Sequence, residues 1–493
     1  MDIARGLTIV SVLTFAITSG NYRFTTINNM APILLTPELI QRIIYFLIHS
    51  WTRDGHPLRR GVGKYAAVNP FWQDTIERRT FATLYLDLER LSEVNSIVTP
   101  RRRRYVRDIS LEVVLPWPGP RQNPEKDKEK LRNNRALQAT FEAFLQSLSQ
   151  WSADELHPGG IELRVFAPLP VEKRLHSPSW RHERGPMWKR RYAESVLELT
   201  DPARIAQHSP VVAISEIYVD EPRFEDRHIS AVAICALLAK LVAAKRVYFN
   251  WWKWRRFSRM RNELADALSQ INHPIDVFRI RDDNFVAMSQ SQSPPSPTLS
   301  SEGEDGLSGA FHILSQRLKE LHIDGIIVSE ELFYPRTLSV HMVEPRWERL
   351  VTLSLSYPPV TPSGEWLFIP DPNASDDSED EVNDWMSITS SQEPRSERRI
   401  ATPAMQQFYI AAGRAALQMP VLEDMTLDAR LGEGDEYWHK FWYHATRSTA
   451  KALWTNSSGF VPDDDVLECW RKVPRKYLKG ELEVEILRDF YAA

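Results

Sequence analysis

The chain has 493 residues, 43% of them apolar and 10% aromatic, enough for about two to four domains with packed cores. A formal charge of -4 and a pI near 6.4 exclude the overall basic excess of a dedicated nucleic-acid binder. Two cysteines, Cys235 and Cys469, exclude a disulfide scaffold and a cysteine-rich zinc site, and they fit a reducing compartment, cytoplasmic or nuclear.

At the start, Arg5 followed by GLTIVSVLTFAITSG has the charge and apolar run of a secretory leader. The run is too short to cross a membrane, and no membrane partner is expected. Cysteine poverty and the acidic loops downstream point instead to an uncertain or disordered leader over 1–29, with Met30 as an internal start.

LLTPELIQRIIYFLIHS, residues 34–50, follows. Thr36 can cap a helix and Pro37 suits its first turn, while Leu39, Ile43, Ile44 and Leu47 form one apolar stripe at three- and four-residue spacing. SWTRDGHPLRRGVGK reads as a loop. In KYAAVNPFWQDTIERRTF, Tyr65, Val68, Trp72 and Ile76 again recur at steps of three and four. Residues 30–90 are therefore expected to be a helical module.

From residue 105 helices and strands alternate. Strands are predicted over 107–115, 160–166, 213–219, 245–250, 275–280, 319–329, 349–356 and 422–428. Helices are predicted over 135–151, 229–244, 258–271, 309–322 and 404–418. Ile217, Val247 and Val277 stand at steps of 30, as do Ile323 and Leu353, close to a leucine-rich repeat unit of about 20 to 29 residues. The fold class read here is α/β, with 100–430 forming an irregular leucine-rich-repeat-like solenoid. No strand is followed by the Gly-rich turn of a dinucleotide fold. The stretches 287–306 and 370–398, rich in Ser, Pro and acids, are predicted to be disordered insertions. Residues 431–493 carry Trp438, Trp442, Tyr443, Trp454, Phe460 and Trp470, and are predicted to form a C-terminal α+β cap on the repeats.

LLTPELIQRIIYFL together with YAAVNPFWQDTIE resembles an F-box, whose motif opens on Leu-Pro-x-Glu and closes on a Val, a small polar residue and a Trp. Leu35, Pro37, Glu38, Ile43, Leu47, Val68 and Trp72 fit it, while Thr36 stands between Leu35 and Pro37 and Pro70 precedes the Trp. The order of F-box, RTFATLYLDL, RRRRYVRDISLEVVL and helix–strand repeats is similar to fungal F-box proteins with a divergent leucine-rich-repeat region. That resemblance implies a substrate-recognition subunit of a Skp, cullin and F-box ubiquitin ligase. Leu35, Pro37, Leu39, Ile43, Ile44, Leu47, Val68 and Trp72 would dock the Skp-type adaptor, and the repeats would hold an unknown protein target. The alternatives are a repeat-based interaction scaffold without ligase function, and a helical module that only caps the first repeat.

NWWKWRRFSRMR interleaves Trp251, Trp252 and Trp254 with basic residues in a way that suits base stacking. The acidic whole chain favours core tryptophans and surface arginines instead, so no nucleic-acid partner is expected. RRRR, 101–104, reads as a charged turn, with a nuclear-import patch as the minor reading. His439 and His444 are five apart, not at the four-residue spacing of a helical metal pair, and Cys235 lies in an apolar run that makes it an inert core thiol. No nucleophile and base can be placed together. The expectation is a non-enzyme with no metal or other cofactor.

Overall fold

The computed structural model describes residues 38, 42, 66–67, 70–116, 124–168, 191–192, 195–219, 227–251, 258–282, 305–334, 344–370, 399–430, 438–456 and 460–487. The chain divides into two compact units, Met1–Leu84 with Val98–Arg107, and Tyr85–Ile97 with Asp108–Ala493.

In the first unit, Glu38 and Arg42 are helical and exposed, and a helix spans Pro70–Thr80. A short helix, Pro100–Arg103, starts on a proline, whose fixed φ and missing N–H suit a first turn. The arginine run is largely absorbed here. Buried Glu77 accepts from Arg101 at 2.9 Å, from Arg102 at 2.7 Å and from Gln73 at 3.1 Å. Burial opposes ionisation of Glu77, but those hydrogen bonds and the arginine charges hold its carboxyl below the usual range. Arg102 also lies 4.8 Å over the Phe81 ring, and Arg103 donates to the Val98 carbonyl at 3.3 Å. A basic run that reads as a surface patch is thus mostly internal wiring.

Sixteen strands are described: β1 (Thr83–Leu86), β2 (Asp108–Glu112), β3 (Ile161–Phe166), β4 (Val196–Leu197), β5 (Ile214–Val219), β6 (His228–Ile229), β7 (Arg246–Trp251), β8 (Val277–Asp282), β9 (Glu320–Asp324), β10 (Thr352–Tyr357), β11 (Phe368–Pro370), β12 (Arg399–Ala401), β13 (Asp424–Arg430), β14 (Trp438–Ala445), β15 (Ala450–Asn456) and β16 (Leu482–Leu487). Twelve of them form one sheet in the order β1-β2-β3-β5-β7-β8-β9-β10-β13-β14-β15-β16, with β11–β12 and β4–β6 as separate pairs. From β2 to β13 neighbours run parallel, then β13–β14 and β14–β15 are antiparallel and β15–β16 parallel.

Strict alternation builds one apolar face: Ile109 and Leu111, Leu163 and Val165, Phe278 and Ile280, Leu353 and Leu355, Met425 and Leu427 are all buried. Each such side chain contributes about 1.5 to 3 kcal/mol by leaving water. The helices lie against this face. Phe311 of helix Gly306–Ser315 meets Phe278 at 6.4 Å between ring centres, Phe408 of helix Pro403–Ala416 meets Tyr357 at 5.1 Å, and Trp470 of helix Asp464–Tyr477 meets Phe441 at 4.5 Å. Side-chain caps start several helices: Ser230 accepts from Ala233 N–H and Asp463 from Val466 N–H.

This architecture corrects the solenoid expectation. The chain is α/β, built on one large, mostly parallel sheet of twelve strands and not on a stack of equal repeats. The paired residues show why the period fails: Ile109 pairs with Leu163, Leu163 with Ile217, Ile217 with Val247, Val247 with Phe278, Phe278 with Leu321, and Leu353 with Met425. A spacing near 30 holds only for β5 to β8 and from β9 to β10. Elsewhere the connections are too long for one repeating unit, and β14 reverses direction. Within the insertion expected over 287–306, Asp305 and Gly306 are structured, Asp305 capping helix Gly306–Ser315. The rest of it, and residues 371–398 of the second, lie outside the described residues. Over 431–493, β14, β15, β16 and helix Asp464–Tyr477 continue the sheet begun by β13.

Candidate functional site

Of the adaptor-docking set, Leu35, Pro37, Leu39, Ile43, Ile44, Leu47 and Val68 lie outside the described residues. Trp72 is half-buried on helix Pro70–Thr80, beside an exposed Phe71. Trp252 and Trp254 of the aromatic-basic run also fall outside.

The two histidines five apart sit on β14, where an odd separation puts them on opposite faces. His439 is fully buried and 2.7 Å from the Tyr409 hydroxyl, and burial lowers its pKa to about 3. His444 is on the other face, 2.8 Å from Asp424 and stacked on Trp442. Cys235 is buried, and burial pushes its thiol up to about 12, the state of an inert core residue. Among the described residues no group of three or more His, Cys, Asp or Glu could hold a metal ion.

The feature that reaches solvent is the second face of the sheet. While one set of side chains faces the helices, the alternate set is half-buried or exposed and forms rows across the strands. One row, read from the register, is Ser110, Arg164, Tyr218, Tyr248, Arg279, His322, Ser354, Thr426 and Trp442. In it Tyr218 and Tyr248 stack at 4.3 Å with their planes 1° apart. Arg164 lies 5.6 Å from the Tyr218 ring centre and Arg279 5.4 Å from that of Tyr248. The result is a stack of four planar groups on four consecutive strands, β3, β5, β7 and β8.

Carboxylates from flanking rows hold it. Arg164 pairs with Glu162 at 2.6 Å, Arg246 with Glu216 at 2.8 Å, Arg279 with Glu320 at 3.3 Å, and Arg281 with Asp324 at 3.3 Å. The Tyr218 hydroxyl donates to Glu216, and burial with that carboxylate beside it raises the tyrosine pKa. Burial and the Arg279 charge lower the pKa of His322, Glu320 opposing them. The arrangement is an ordered surface of guanidinium, phenol and carboxylate groups, suited to recognition.

Reading the sequence for motifs missed this surface. The signal was present: Ile217 and Val247 were placed in one row, so Tyr218 and Tyr248, each one residue later, had to share the next row on the opposite face.

A family model described as a family of unknown function (DUF6546) matches residues 384–489, the span that holds β12 to β16. No curated protein matches the chain.

Proposed function

We propose that the chain is a non-catalytic protein-recognition subunit of a Skp, cullin and F-box ubiquitin ligase. The segment from Leu35 to Trp72 carries the adaptor contact and the open face of the sheet holds the target. The observation behind the recognition half is the polar and aromatic sheet face, with stacked Tyr218 and Tyr248 between two guanidiniums, since Tyr, Trp and Arg dominate binding energy at protein interfaces. The adaptor half rests on the F-box resemblance, and exposed Phe71 beside Trp72 supports it. Such a subunit speeds ubiquitin transfer by proximity, with no chemistry of its own. Among the described residues no helix is long and apolar enough to cross a membrane.

The test is affinity purification of the full chain and of a variant carrying Leu39→Asp, Ile43→Asp and Leu47→Asp together. A Skp-type adaptor is expected in near-stoichiometric amount with the parent chain and absent from the variant, whose circular dichroism should be unchanged. An adaptor absent from both would leave an interaction scaffold without ligase function. Collapse of the variant's fold would make the segment a structural cap.

A further inference from the structure

We propose that the partner held on the open sheet face presents an acidic, extended polypeptide segment to the guanidiniums of Arg164 and Arg279, with the Tyr218–Tyr248 stack as the rigid spacer between them. This rests on the protein-recognition reading above and names the chemistry of the target.

The argument begins with which charges stand outermost. The side chains of Arg164, Arg246, Arg279 and Arg281 are 48% to 57% exposed, whereas those of their partners Glu162, Glu216, Glu320 and Asp324 are 13% to 38% exposed. Cations therefore form the outer layer and carboxylates lie beneath them. A guanidinium edge facing outward offers paired N–H donors matched to a carboxylate, and one already held by a carboxylate and a ring face loses little freedom on binding.

The same geometry argues against a nucleic acid. The faces of Tyr218 and Tyr248 are spent on each other and on the two arginines, so none is left for a base to stack on. Each guanidinium also keeps a carboxylate within ion-pair distance, which removes the net positive charge that polyphosphate binding needs.

Spacing gives the segment its pattern. Arg164 on β3 and Arg279 on β8 are separated by three strand intervals, about 14 Å at about 4.8 Å each. An extended chain advances about 3.4 Å per residue, so carboxylates about four residues apart reach both arginines.

The probe is a fluorescent peptide with two glutamates four residues apart in a Ser/Thr/Tyr background, read by anisotropy on the full-length protein at low salt. Arg164→Ala and Arg279→Ala are each expected to weaken it at least tenfold with the thermal midpoint unchanged, while Lys451→Ala on β15 leaves it unaltered. Moving the glutamates to two residues apart should also weaken it. Equal binding of a lysine-for-glutamate peptide, or tighter binding of a single-stranded oligonucleotide, would overturn the proposal. So would binding that shows only after residues 371–398 are deleted, since the chain's own acidic segment would then be the occupant. Adaptor capture by Arg164→Ala and Arg279→Ala should match the parent, so failure here is separable from failure of the ligase reading.

Discussion

The hydroxyl of Tyr409 and Nε2 of His439 lie 2.7 Å apart, and neither residue is exposed to solvent. Phe368, Phe441, Trp454 and Phe460 crowd the same place, with ring centres 4.9 to 6.0 Å from one or other of the pair. Burial lowers the His439 pKa from 6.5 to about 3, so the unfolded chain takes up this proton before the folded one does. Stability from keeping the ring neutral is then full above about pH 6.5 and is lost as pH falls toward 3, at about 1.4 kcal/mol per unit. Burial shifts His273, His312 and His322 in the same direction, so the measurement must be a comparison. His439→Gln is expected to show a shallower loss of unfolding free energy between pH 6.5 and 4.5 than the parent. An identical slope would show that His439 is protonated in the folded state. Tyr409→Phe, which leaves the ring nitrogen without this partner in a dry site, should cost about 1 to 3 kcal/mol.

A second buried relationship joins segments far apart in sequence. Arg261, on helix Ser258–Ser269, grips Asp305 through two nitrogens and donates to the Ile327 carbonyl at 2.7 Å. Asp305 in turn caps its helix by accepting from Ser308 N–H at 3.1 Å, and its own N–H donates to Glu331 at 2.7 Å. Removing one member of such a pair strands a charge away from water. Arg261→Met is expected to lose about 3 to 5 kcal/mol in urea denaturation, with the double change Arg261→Met and Asp305→Asn losing less than the two singles together. Strict additivity would mean that the two side chains are not coupled.

These cases show what the sequence disclosed and what it hid. ISLEVVL and IELRVF announce strands through alternation, because one buried and one open face are all that a half-covered sheet requires. All eight strands predicted from such patterns overlap observed ones, β2, β3, β5, β7, β8, β9, β10 and β13. The register slipped where a fixed step was assumed: Val247 pairs with Phe278 and not Val277, because connections vary and each strand is placed by its own buried face. Asp305 was lost in an acidic stretch, although an aspartate just before an apolar run is a helix-start signal. The Arg–Tyr–Tyr–Arg stack was invisible to motif reading because its members come from four strands and meet only through the register.

Gly325 offers a backbone test. It sits at φ 74°, just after β9, and an added Cβ would lie 2.3 Å from the Asp282 carbonyl oxygen at the end of β8. That conformation disfavours any side chain, and the contact blocks relaxation toward β8. Gly325→Ala should lower stability by at least about 2 kcal/mol. At Gly309, inside helix Gly306–Ser315, an added Cβ meets nothing within 4 Å. Gly309→Ala should therefore raise stability by about 0.5 to 1 kcal/mol. Calorimetric midpoints moving in opposite directions are the expected result; two downward shifts would show that helix Gly306–Ser315 is strained in a way its geometry does not reveal.

The last prediction concerns the end of the sheet, where β14 covers all seven residues of β13, pairing Asp424 through Arg430 with His444 through Trp438. Helix Asp464–Tyr477 closes the other side. Trp470 donates to the Tyr409 carbonyl at 3.1 Å, Lys476 and Tyr477 both reach the Leu417 carbonyl at 2.6 Å, and a Cβ on Gly413 would come within 2.9 Å of Cys469 Sγ. Truncation after Arg430 removes all of these at once. It leaves β13 as an open parallel-sheet edge and uncovers the aromatic face of helix Pro403–Ala416, a combination that invites edge-to-edge pairing between copies. The truncated chain is expected to aggregate, while Trp470→Ala in the full chain, which leaves the strands in place, should stay soluble and lose about 3 to 5 kcal/mol. A soluble, monomeric truncation product with an unchanged melting temperature would mean that residues 431–493 add nothing to the stability of the sheet they extend.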